Sequence, residues 1–416
     1  MRMMTALALI VASAPAAYAA GPLKNESFIE QIGSKNDATI SQKNGNNDQA
    51  TFQAGKGNSV ITDQVSKLVG GKNTSGNVQV GKGNSASTEQ TNSPPNPLFP
   101  TATFTNNSFS AQFGKKNDVI VGQKGGKNNQ DTLQVGDKNE AGVAQIDKSV
   151  SPASGPLVGA ANTSFTGQFG DRNTAATVQK SADGTNAGGG FENGHGNASA
   201  VLQIGKGNEA GTEQKSVGGK GEGTNNASAT VQIGKGNIAL TKQGGHVAGA
   251  FGATPADQIA NFTNGSFIGQ AGAKNVANVD QHNGANTQAT FQTGFGNDAD
   301  INQKTQAFGT GNGANNALTS QFGVKNKAKV SQSMANPLAV GDNNSFITQV
   351  GGYNVVNAAQ SVGQQATTPA GNNNQVALQV GYGNYVSVAQ TTGANVTNTS
   401  FTAQFGSHNS AMVSQK

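Results

Sequence analysis

Cysteine and tryptophan are absent from this 416-residue chain, and both charged and apolar residues are scarce. Without cysteine, no disulfide can stabilise the fold, and a metal site would need histidine and carboxylates at ligand spacing. Hydrophobic residues make up 34% of the chain and charged residues 12%, which is less apolar than an ordinary globular core. Because disordered chains share such a composition, only periodic order in the sequence can indicate a fold.

Long apolar runs are also scarce, and the most evident one lies at the N-terminus. Met1 to Ala20 has the features of a secretory signal peptide: the basic Arg2, an apolar run from Ala6 to Val11, and the cleavage motif Ala17-Tyr18-Ala19. An amphipathic first helix is the alternative interpretation. No later run is long enough to cross a bilayer. We therefore predict an exported protein whose mature part, residues 21–416, is a single repeat domain.

The mature part repeats one pattern fourteen times: Asn-x5-Gln-x-Gly-x2-Asn-x-(Ala/Val)-x3-Gln. The Asn, Gln, Gly, Asn and Gln positions are kept in every copy, and self-similarity of this kind predicts stacked units. Each 18-residue unit is too small to bury a core alone, so the units must pack on one another. The units start at residues 25, 47, 73, 106, 128, 162, 197, 226, 264, 286, 315, 343, 373 and 398.

Within each unit, Gly-x-x-Asn predicts a tight corner that needs positive φ or close backbone approach. This corner separates two runs of about six residues, the usual length of a strand. Linkers of 4 to 20 residues, rich in Gly, Asn, Ser and Pro, separate the units. Insertions confined to one edge are typical of a stacked fold. The predicted fold class is all-β: an amyloid-like β-solenoid of fourteen strand–corner–strand rungs.

The second strand of each unit has one polar face and one mixed face. Charged residues such as Asp37, Asp298 and Asp300 occupy alternate positions that must face water. The intervening positions therefore face the interior. They hold Ala or Val, then mostly Ile, Val or Thr, and then Gln. In-phase stacking predicts that Asp298 lies beside Lys327 and Asp300 beside Lys329.

The first strand allows two interpretations, because one face carries amides and the other carries large apolar side chains. Plain hydrophobicity would put the aromatic face inside. Identical amides stacked about 4.8 Å apart, however, form ladders that need one fixed register. We favour amides inside and an exposed apolar stripe outside, which would mark an interaction surface. The predicted ladder includes Asn25, Gln31, Gly33, Asn36, Gln42, Gln53, Asn58, Gln64, Gln203, Asn208, Gln214, Asn398, Gln404, Gly406, Asn409 and Gln415. The predicted apolar stripe includes Phe28, Phe109, Phe113, Phe165, Phe169, Phe401 and Phe405.

This pattern resembles the repeat of curlin, the subunit of bacterial curli fibres, in which Gln-x-Gly-x-Gly-Asn-x-Ala-x3-Gln recurs. Gln53 to Asn58 and Gln203 to Ala210 match it closely, and the resemblance covers residues 25–415. It implies a β-solenoid lined by Gln and Asn that is secreted as a monomer. It further implies assembly of the chain with itself into extracellular amyloid of an adhesive biofilm matrix. A nucleator subunit and a secretion pore are the other partners that the resemblance implies.

The chain departs from the curlin pattern at three points. Asn replaces Ser at the first position of every unit, and linkers reach 20 residues where curlin repeats are nearly contiguous. Only Gly21 to Lys24 lie between the predicted cleavage point and the first unit. We therefore expect the family's N-terminal export segment to be absent, which counts against use of the dedicated secretion pore.

Catalytic, metal and cofactor chemistry is not indicated by any motif. The four histidines lie in different linkers or corners without a recurring partner: His195, His246, His282 and His408. We predict that the chain is not an enzyme and holds no cofactor.

Ten corners carry Lys or Arg, and two interpretations of these cations remain. They form either a solvated rim that discourages edge aggregation or a basic edge for acidic polysaccharide or extracellular DNA. The formal net charge of +5, or +4 without Arg2 (5 − 1 = 4), is too diffuse to indicate a nucleic-acid partner by itself. The cationic corner residues are Lys35, Lys56, Lys82, Lys115, Lys116, Lys138, Arg172, Lys206, Lys235, Lys274 and Lys325.

Two functions from different classes fit these features: a self-assembling structural fibre, and a monomeric solenoid that serves as an adhesin or surface-binding module. Solenoids that stay monomeric need polar terminal caps. The first unit begins five residues after the predicted cleavage point and the last ends at Gln415, with no helix or charged edge at either end. The sequence therefore favours the fibre.

Overall fold

The computed structural model describes residues 24–67, 71–92, 105–147, 161–182, 196–217, 225–244, 263–305, 313–334, 341–363, 371–392 and 396–416. The predicted signal peptide, residues 1–20, and most linker residues lie outside this set. Among the described residues, no helix is long and apolar enough to cross a membrane.

The described residues form twenty-eight strands. In chain order they are β1 Asn25–Ser34, β2 Asp37–Lys43, β3 Asn46–Lys56, β4 Ser59–Ser66, β5 Lys72–Lys82, β6 Ser85–Asn92, β7 Thr105–Lys115, β8 Asp118–Lys124, β9 Lys127–Asp137, β10 Glu140–Asp147, β11 Ala161–Asp171, β12 Thr174–Ala182, β13 Asn197–Lys206, β14 Glu209–Val217, β15 Asn225–Lys235, β16 Ile238–Gly244, β17 Thr263–Ala273, β18 Val276–His282, β19 Ala285–Phe295, β20 Asp298–Thr305, β21 Ala314–Val324, β22 Lys327–Met334, β23 Asn343–Gly352, β24 Val355–Val362, β25 Asn373–Tyr382, β26 Tyr385–Thr392, β27 Asn398–Ser407 and β28 Ser410–Gln415.

These strands build two parallel sheets of fourteen strands each. The odd-numbered strands form the first sheet and the even-numbered strands form the second, and each strand pairs with its equivalent in the next unit. The predicted all-β solenoid is therefore confirmed. One rung consists of an odd strand, a corner and an even strand, and rungs are numbered 1 to 14 from the N-terminus. At about 4.8 Å per rung, the stack is roughly 65 Å long.

Equivalent residues lie opposite each other in neighbouring rungs. Gln31 is paired with Gln53 and Gly33 with Gly55. The predicted neighbours Asp298 with Lys327 and Asp300 with Lys329 are also in register. The sequence period therefore predicted the strand pairing correctly.

The corner is shorter than the sequence predicted, because the corner glycine belongs to the first strand. The odd strands run for 10 or 11 residues instead of about six. Gly33 has φ +116°, and a Cβ built on it would lie 1.9 Å from the carbonyl oxygen of Gly55. Only glycine can therefore continue the backbone pairing of neighbouring rungs through this point. Lys35 and Asn36 alone make the turn.

The core is a narrow layer between the two sheets with amides along both of its edges. Between the amide edges, rungs 8 to 13 bury Ala, Val and Ile side chains such as Ile268 and Ile301. In the middle rungs the equivalent positions hold buried hydroxyls, for example Ser110 and Thr166. Apolar burial is thus modest, and hydrogen-bonded amides occupy positions that an ordinary core would fill with large apolar groups.

Candidate assembly faces at the two ends of the solenoid

Four ladders of identical amides run along the solenoid, one residue from each rung. They are the first-strand Asn ladder (Asn25 to Asn398), the first-strand Gln ladder (Gln31 to Gln404), the corner Asn ladder (Asn36 to Asn409) and the second-strand Gln ladder (Gln42 to Gln415). In the interior rungs these side chains are buried, at 0 or 1% exposure for Gln53, Asn58, Gln64, Gln203, Asn208 and Gln214. The structure therefore has the amide face inside and the aromatic face outside.

Both Gln ladders point from the N-terminus towards the C-terminus. Nε2 of Gln53 donates to Oε1 of Gln79 at 2.8 Å, and Nε2 of Gln64 donates to Oε1 of Gln90 at 2.8 Å. The second N–H of Gln53 donates to the backbone carbonyl of Asp37 at 2.9 Å. That carbonyl fixes the amide orientation, because only the nitrogen can face it.

Both Asn ladders point the opposite way. Nδ2 of Asn73 donates to Oδ1 of Asn47 in the preceding rung at 2.8 Å. In the corner ladder, the backbone N–H of Asn84 donates to Oδ1 of Asn58 at 3.1 Å. The same directions hold from rung to rung in all four ladders.

The rungs form a staircase in which the second strand lies half a step beyond the first. Nε2 of Gln42 donates to the carbonyl of Glu26 in its own rung at 2.9 Å. The same nitrogen donates to the carbonyl of Asn47 in the next rung at 3.1 Å. Because Gln42 reaches both carbonyls, β2 lies at a height between β1 and β3. At each end of the stack, one sheet therefore extends half a step beyond the other.

The N-terminal face is the outer side of rung 1, where β1 pairs only with β3 among the described strands. Its interior side chains are uncovered: Ile29 is 44% exposed, whereas Ile268 is 0% exposed in an interior rung. The ladder directions leave Oε1 of Gln31 and Gln42 as acceptors on this face. They leave the N–H groups of Asn25 and Asn36 as donors.

The C-terminal face is the outer side of rung 14, where β27 pairs only with β25 in the described part of the chain. Here β28 projects by half a step and partly covers β27, so that Gln404 is only 6% exposed. Nε2 of Gln415 donates to the carbonyl of Thr399 at 2.9 Å. On this face the ladders end in the opposite groups: amide N–H of Gln404 and Gln415, and Oδ1 of Asn398 and Asn409.

The two faces are complementary in chemistry and in shape. A second copy stacked in phase would continue each ladder with a donor meeting an acceptor. Its β1 would occupy the level beside the projecting β28, so the staircase would continue without a gap. The contact between the C-terminal face of one copy and the N-terminal face of the next would form a joint. The four amide pairs across this joint would be Gln404 with Gln31, Gln415 with Gln42, Asn25 with Asn398, and Asn36 with Asn409.

Gly406 points to the same joint. In rungs 1 to 13, the strand-end glycine lies close to the carbonyl of the equivalent glycine in the next rung. A Cβ built on Gly381, for example, would lie 1.8 Å from the carbonyl oxygen of Gly406. Beside Gly406 itself, the nearest atom is Nδ2 of its own Asn409 at 3.7 Å. The space that a following rung would fill is therefore open at the C-terminal face.

The predicted apolar stripe lies on the outer face of the first sheet. Phe28, Phe165, Phe401 and Phe405 are exposed, whereas Phe109, Phe113 and Phe169 are half-buried against their neighbours along the sheet. The largest exposures are at the last rung, where Phe401 reaches 71% and Phe405 reaches 66%. In an in-phase joint, Phe401 would lie opposite Phe28.

The two histidines in the described ranges, His282 and His408, do not form a shared site. His282 contacts the carboxylate of Asp280 at 2.7 Å, and this hydrogen bond lowers the pKa of Asp280. His408 lies at the last corner, and His195 and His246 lie outside the described residues. Within the described ranges, no group of three or more His, Asp and Glu side chains could hold a metal ion.

Comparison with known protein families finds no match for this chain, and comparison with curated proteins finds none either.

Sequence reasoning predicted positive φ or a close backbone approach at the Gly-x-x-Asn corner, and Gly33 shows both. It did not single out the residue before the corner Asn. The residue before each corner Asn is left-handed in every rung, and it is either glycine or a residue with a long side chain. The signal was visible in the sequence as an alternation at this position, with Gly57 in rung 2 and Lys35 in rung 1.

Proposed function

We propose that this protein is a secreted structural subunit that assembles head to tail into an extracellular, curli-like fibre. The observation that carries the proposal is the match between the two end faces. Every amide donor on one face has an acceptor at the same place on the other. An assembled joint would also cover Ile29 and pair the backbone groups of β1 with those of β27, as parallel strands do elsewhere in the stack.

The secreted, matrix-forming part of this proposal is supported by the sequence alone. Residues 1–20 have the features of a signal peptide, and the repeat resembles that of curlin. An adhesive biofilm fibre, a nucleator subunit and a secretion pore follow from that resemblance. Head-to-tail assembly rests on the faces themselves and does not require those partners.

The test replaces the ladder amide on both faces with leucine, as Gln31→Leu with Gln404→Leu. Each joint then loses the Gln404–Gln31 hydrogen bond. The polar groups that these two amides would otherwise bond are left unsatisfied in a contact without water, which costs about 1 to 3 kcal/mol for each group. We expect the parent protein, diluted from denaturant, to form fibrils with a meridional reflection near 4.7 to 4.8 Å. The double variant should stay unassembled over the same period.

The matched control is Thr39→Leu with Thr399→Leu, which adds two leucines on the outer faces of the same two rungs. This control should assemble like the parent, because it removes no ladder amide. If the parent stays monomeric for days by sedimentation, the fibre proposal fails and a monomeric binding module takes its place. If the control stalls as well, the ladders are not what joins the subunits.

A further inference from the structure

The corner edge of the solenoid carries a continuous file of cations. Each of rungs 1 to 9 has at least one Lys or Arg in the two residues before its corner Asn. At about 4.8 Å per rung, this file extends for roughly 40 Å. It runs along the edge opposite the linkers, where the Gly-x-x-Asn corner keeps one length in all fourteen rungs.

Five of these cations, together with Lys325 in rung 11, occupy a backbone conformation that disfavours them. The residue before the corner Asn is left-handed in every rung, with φ between 53° and 60° in the six cationic cases. A residue other than glycine costs about 1 to 2 kcal/mol in this conformation. Glycine fills the same position in other rungs, as Gly57 and Gly207 do. The six cations are Lys35, Lys116, Lys138, Arg172, Lys274 and Lys325.

Protection against edge pairing does not account for cations at strained positions. The corner backbone is already hydrogen-bonded from rung to rung. Gly57 N donates to the carbonyl of Ser34 at 3.0 Å, and Lys116 N donates to the carbonyl of Lys82 at 3.0 Å. Since no strand edge is open at the corner, lysine has none to protect there.

The corner cations are not neutralised by close ion pairs. Among the described residues, the ion pairs within 4 Å are Lys72 with Asp48 and His282 with Asp280, both away from the corner. The two corner carboxylates accept hydrogen bonds from the backbone: Asp137 from Lys115 N at 2.9 Å, and Asp171 from Asp137 N at 3.3 Å. The carboxylates that flank the file lie one residue beyond the corner, on the second sheet: Asp37, Asp118, Glu140 and Glu209.

Aromatic side chains lie on the same edge in rungs 10, 12, 13 and 14. The Tyr353 and Tyr382 rings are 5.0 Å apart, and Tyr382 lies 5.9 Å from His408. Lys274 Nζ lies 5.6 Å from the ring centre of Phe295. Tyr353 is 42% exposed and Tyr382 is 50% exposed. Lys325 Nζ lies 5.3 Å from the ring centre of Tyr353. The edge therefore passes from a cationic segment to a segment in which aromatic rings predominate.

We propose that this corner edge binds a linear acidic polysaccharide with one carboxylate on each sugar, a polyuronate. A sugar unit in such a chain is close to one rung in length, so successive carboxylates meet successive cations. Aromatic rings at the far end suit the apolar faces of sugar rings. Duplex DNA carries one charge per about 1.7 Å, which a single file spaced by one rung does not match. Single-stranded nucleic acid is bound by cations interleaved with aromatic rings along one groove, whereas the corners of rungs 1 to 8 carry cations and no aromatic residue.

The test compares two variants that lose the same charge. The corner variant carries Lys35→Gly, Lys116→Gly, Lys138→Gly, Arg172→Gly and Lys274→Gly. Glycine already occupies this position in other rungs, so the fold should persist or gain stability. The control variant removes five exposed lysines from the outer face of the second sheet: Lys43→Ser, Lys124→Ser, Lys180→Ser, Lys215→Ser and Lys304→Ser.

Binding is measured with polygalacturonate over a range of salt concentrations, with neutral dextran and a DNA duplex as comparison ligands. The corner variant should bind polygalacturonate about 10-fold more weakly or worse and show a smaller salt dependence, since fewer counterions are released. The control variant should remain within about 2-fold of the parent, because its lysines are far from the file compared with a Debye length of about 8 to 10 Å.

Three outcomes would overturn the proposal. Equal weakening in both variants would mean that net charge alone attracts the polymer. Tighter, corner-dependent binding of DNA would make the edge a nucleic-acid surface instead. Unchanged binding in the corner variant would mean that the file is not a site. Because the corner lies within one chain, these outcomes do not depend on whether the protein forms fibres.

Discussion

At the residue scale, each repeated position of a rung has its own physical reason. The ladder amides are retained because each one both donates and accepts along the stack. The strand-end glycine, as at Gly170, is retained because the next rung's carbonyl occupies the place of a side chain. The corner residue, as at Gly207, needs only a left-handed backbone, and a Cβ there would meet nothing within 4 Å.

These two kinds of glycine should respond differently to alanine. In Gly170→Ala, the new Cβ would lie 2.0 Å from the carbonyl oxygen of Gly205, so rungs 6 and 7 must separate locally. In Gly207→Ala, the loss should be about 1 kcal/mol, from backbone strain alone. Urea denaturation of the two variants measures the difference. Equal losses would contradict the close approach of the rungs at Gly170.

A charged residue interrupts the aromatic face at Asp131, which lies between Phe109 and Phe165 in neighbouring rungs. Burial raises the pKa of Asp131 above its ordinary value of 3.8. The folded state therefore holds the proton more tightly than the unfolded state does. Stability falls as the pH rises from 3.8 through the raised pKa, and it stays lowered at neutral pH.

Asp131→Asn removes this titration. The variant should be more stable than the parent at neutral pH, and its advantage should shrink as the pH falls to 3.8 and below. Denaturation midpoints of parent and variant across that range provide the measurement. An advantage that grew on acidification would mean that the Asp131 carboxylate is stabilised in the fold.

At the element scale, strand pairing and facing could be predicted from the sequence, because both depend on periods that the residues display. A repeat with Asn25, Gln31 and Asn36 in fixed phase permits only in-register stacking, and alternation assigns the faces of the second strand. The extension of β1 through Gly33 could not be predicted, since it depends on a carbonyl of another rung. The half-step stagger and the ladder directions depend on backbone carbonyls near Gln42 and Gln53, which no spacing of residues reveals.

Register can be tested through the charged pairs between β20 and β22. Asp298→Lys with Asp300→Lys places two lysines beside Lys327 and Lys329. Pairs of this kind at the surface of a sheet, one half-buried at Asp298 and one exposed at Asp300, contribute about 0.2 to 1 kcal/mol each, so assembly should slow without stopping.

Adding Lys327→Asp and Lys329→Asp to that variant restores opposite charges in the same places. The fourfold variant should recover most of the assembly rate, as measured by the growth of sedimentable fibrils. Complete loss of assembly in the first variant, or no recovery in the second, would be incompatible with this register.

At the scale of the whole molecule, the apolar stripe and the end faces should make separable contributions. Phe28→Ser with Phe401→Ser removes exposed apolar area and leaves every ladder amide in place. Fibrils should therefore still form, whereas their lateral bundling should weaken, because the stripe leaves apolar surface exposed on the side of the fibre. Electron microscopy counts of single and bundled fibrils provide the measurement.

Phe165→Ser with Phe346→Ser is the matched control, since both residues are exposed stripe positions outside the two end rungs. It should weaken bundling to a similar extent. If the end pair stops elongation while the interior pair has no effect, the aromatics at the joint, and not the amides, hold the subunits together.

The opposed directions of the Gln and Asn ladders have an electrical consequence for a long fibre. Each amide carries a dipole along the axis, and aligned dipoles would add up with length, as they do in an α-helix. Here each rung has two amides oriented one way and two the other, and parallel sheets themselves have little net dipole. The partial charges of donors and acceptors therefore offset each other at each tip. An arriving subunit meets hydrogen-bonding groups of both signs there and is neither attracted nor repelled by a net partial charge of the ladders.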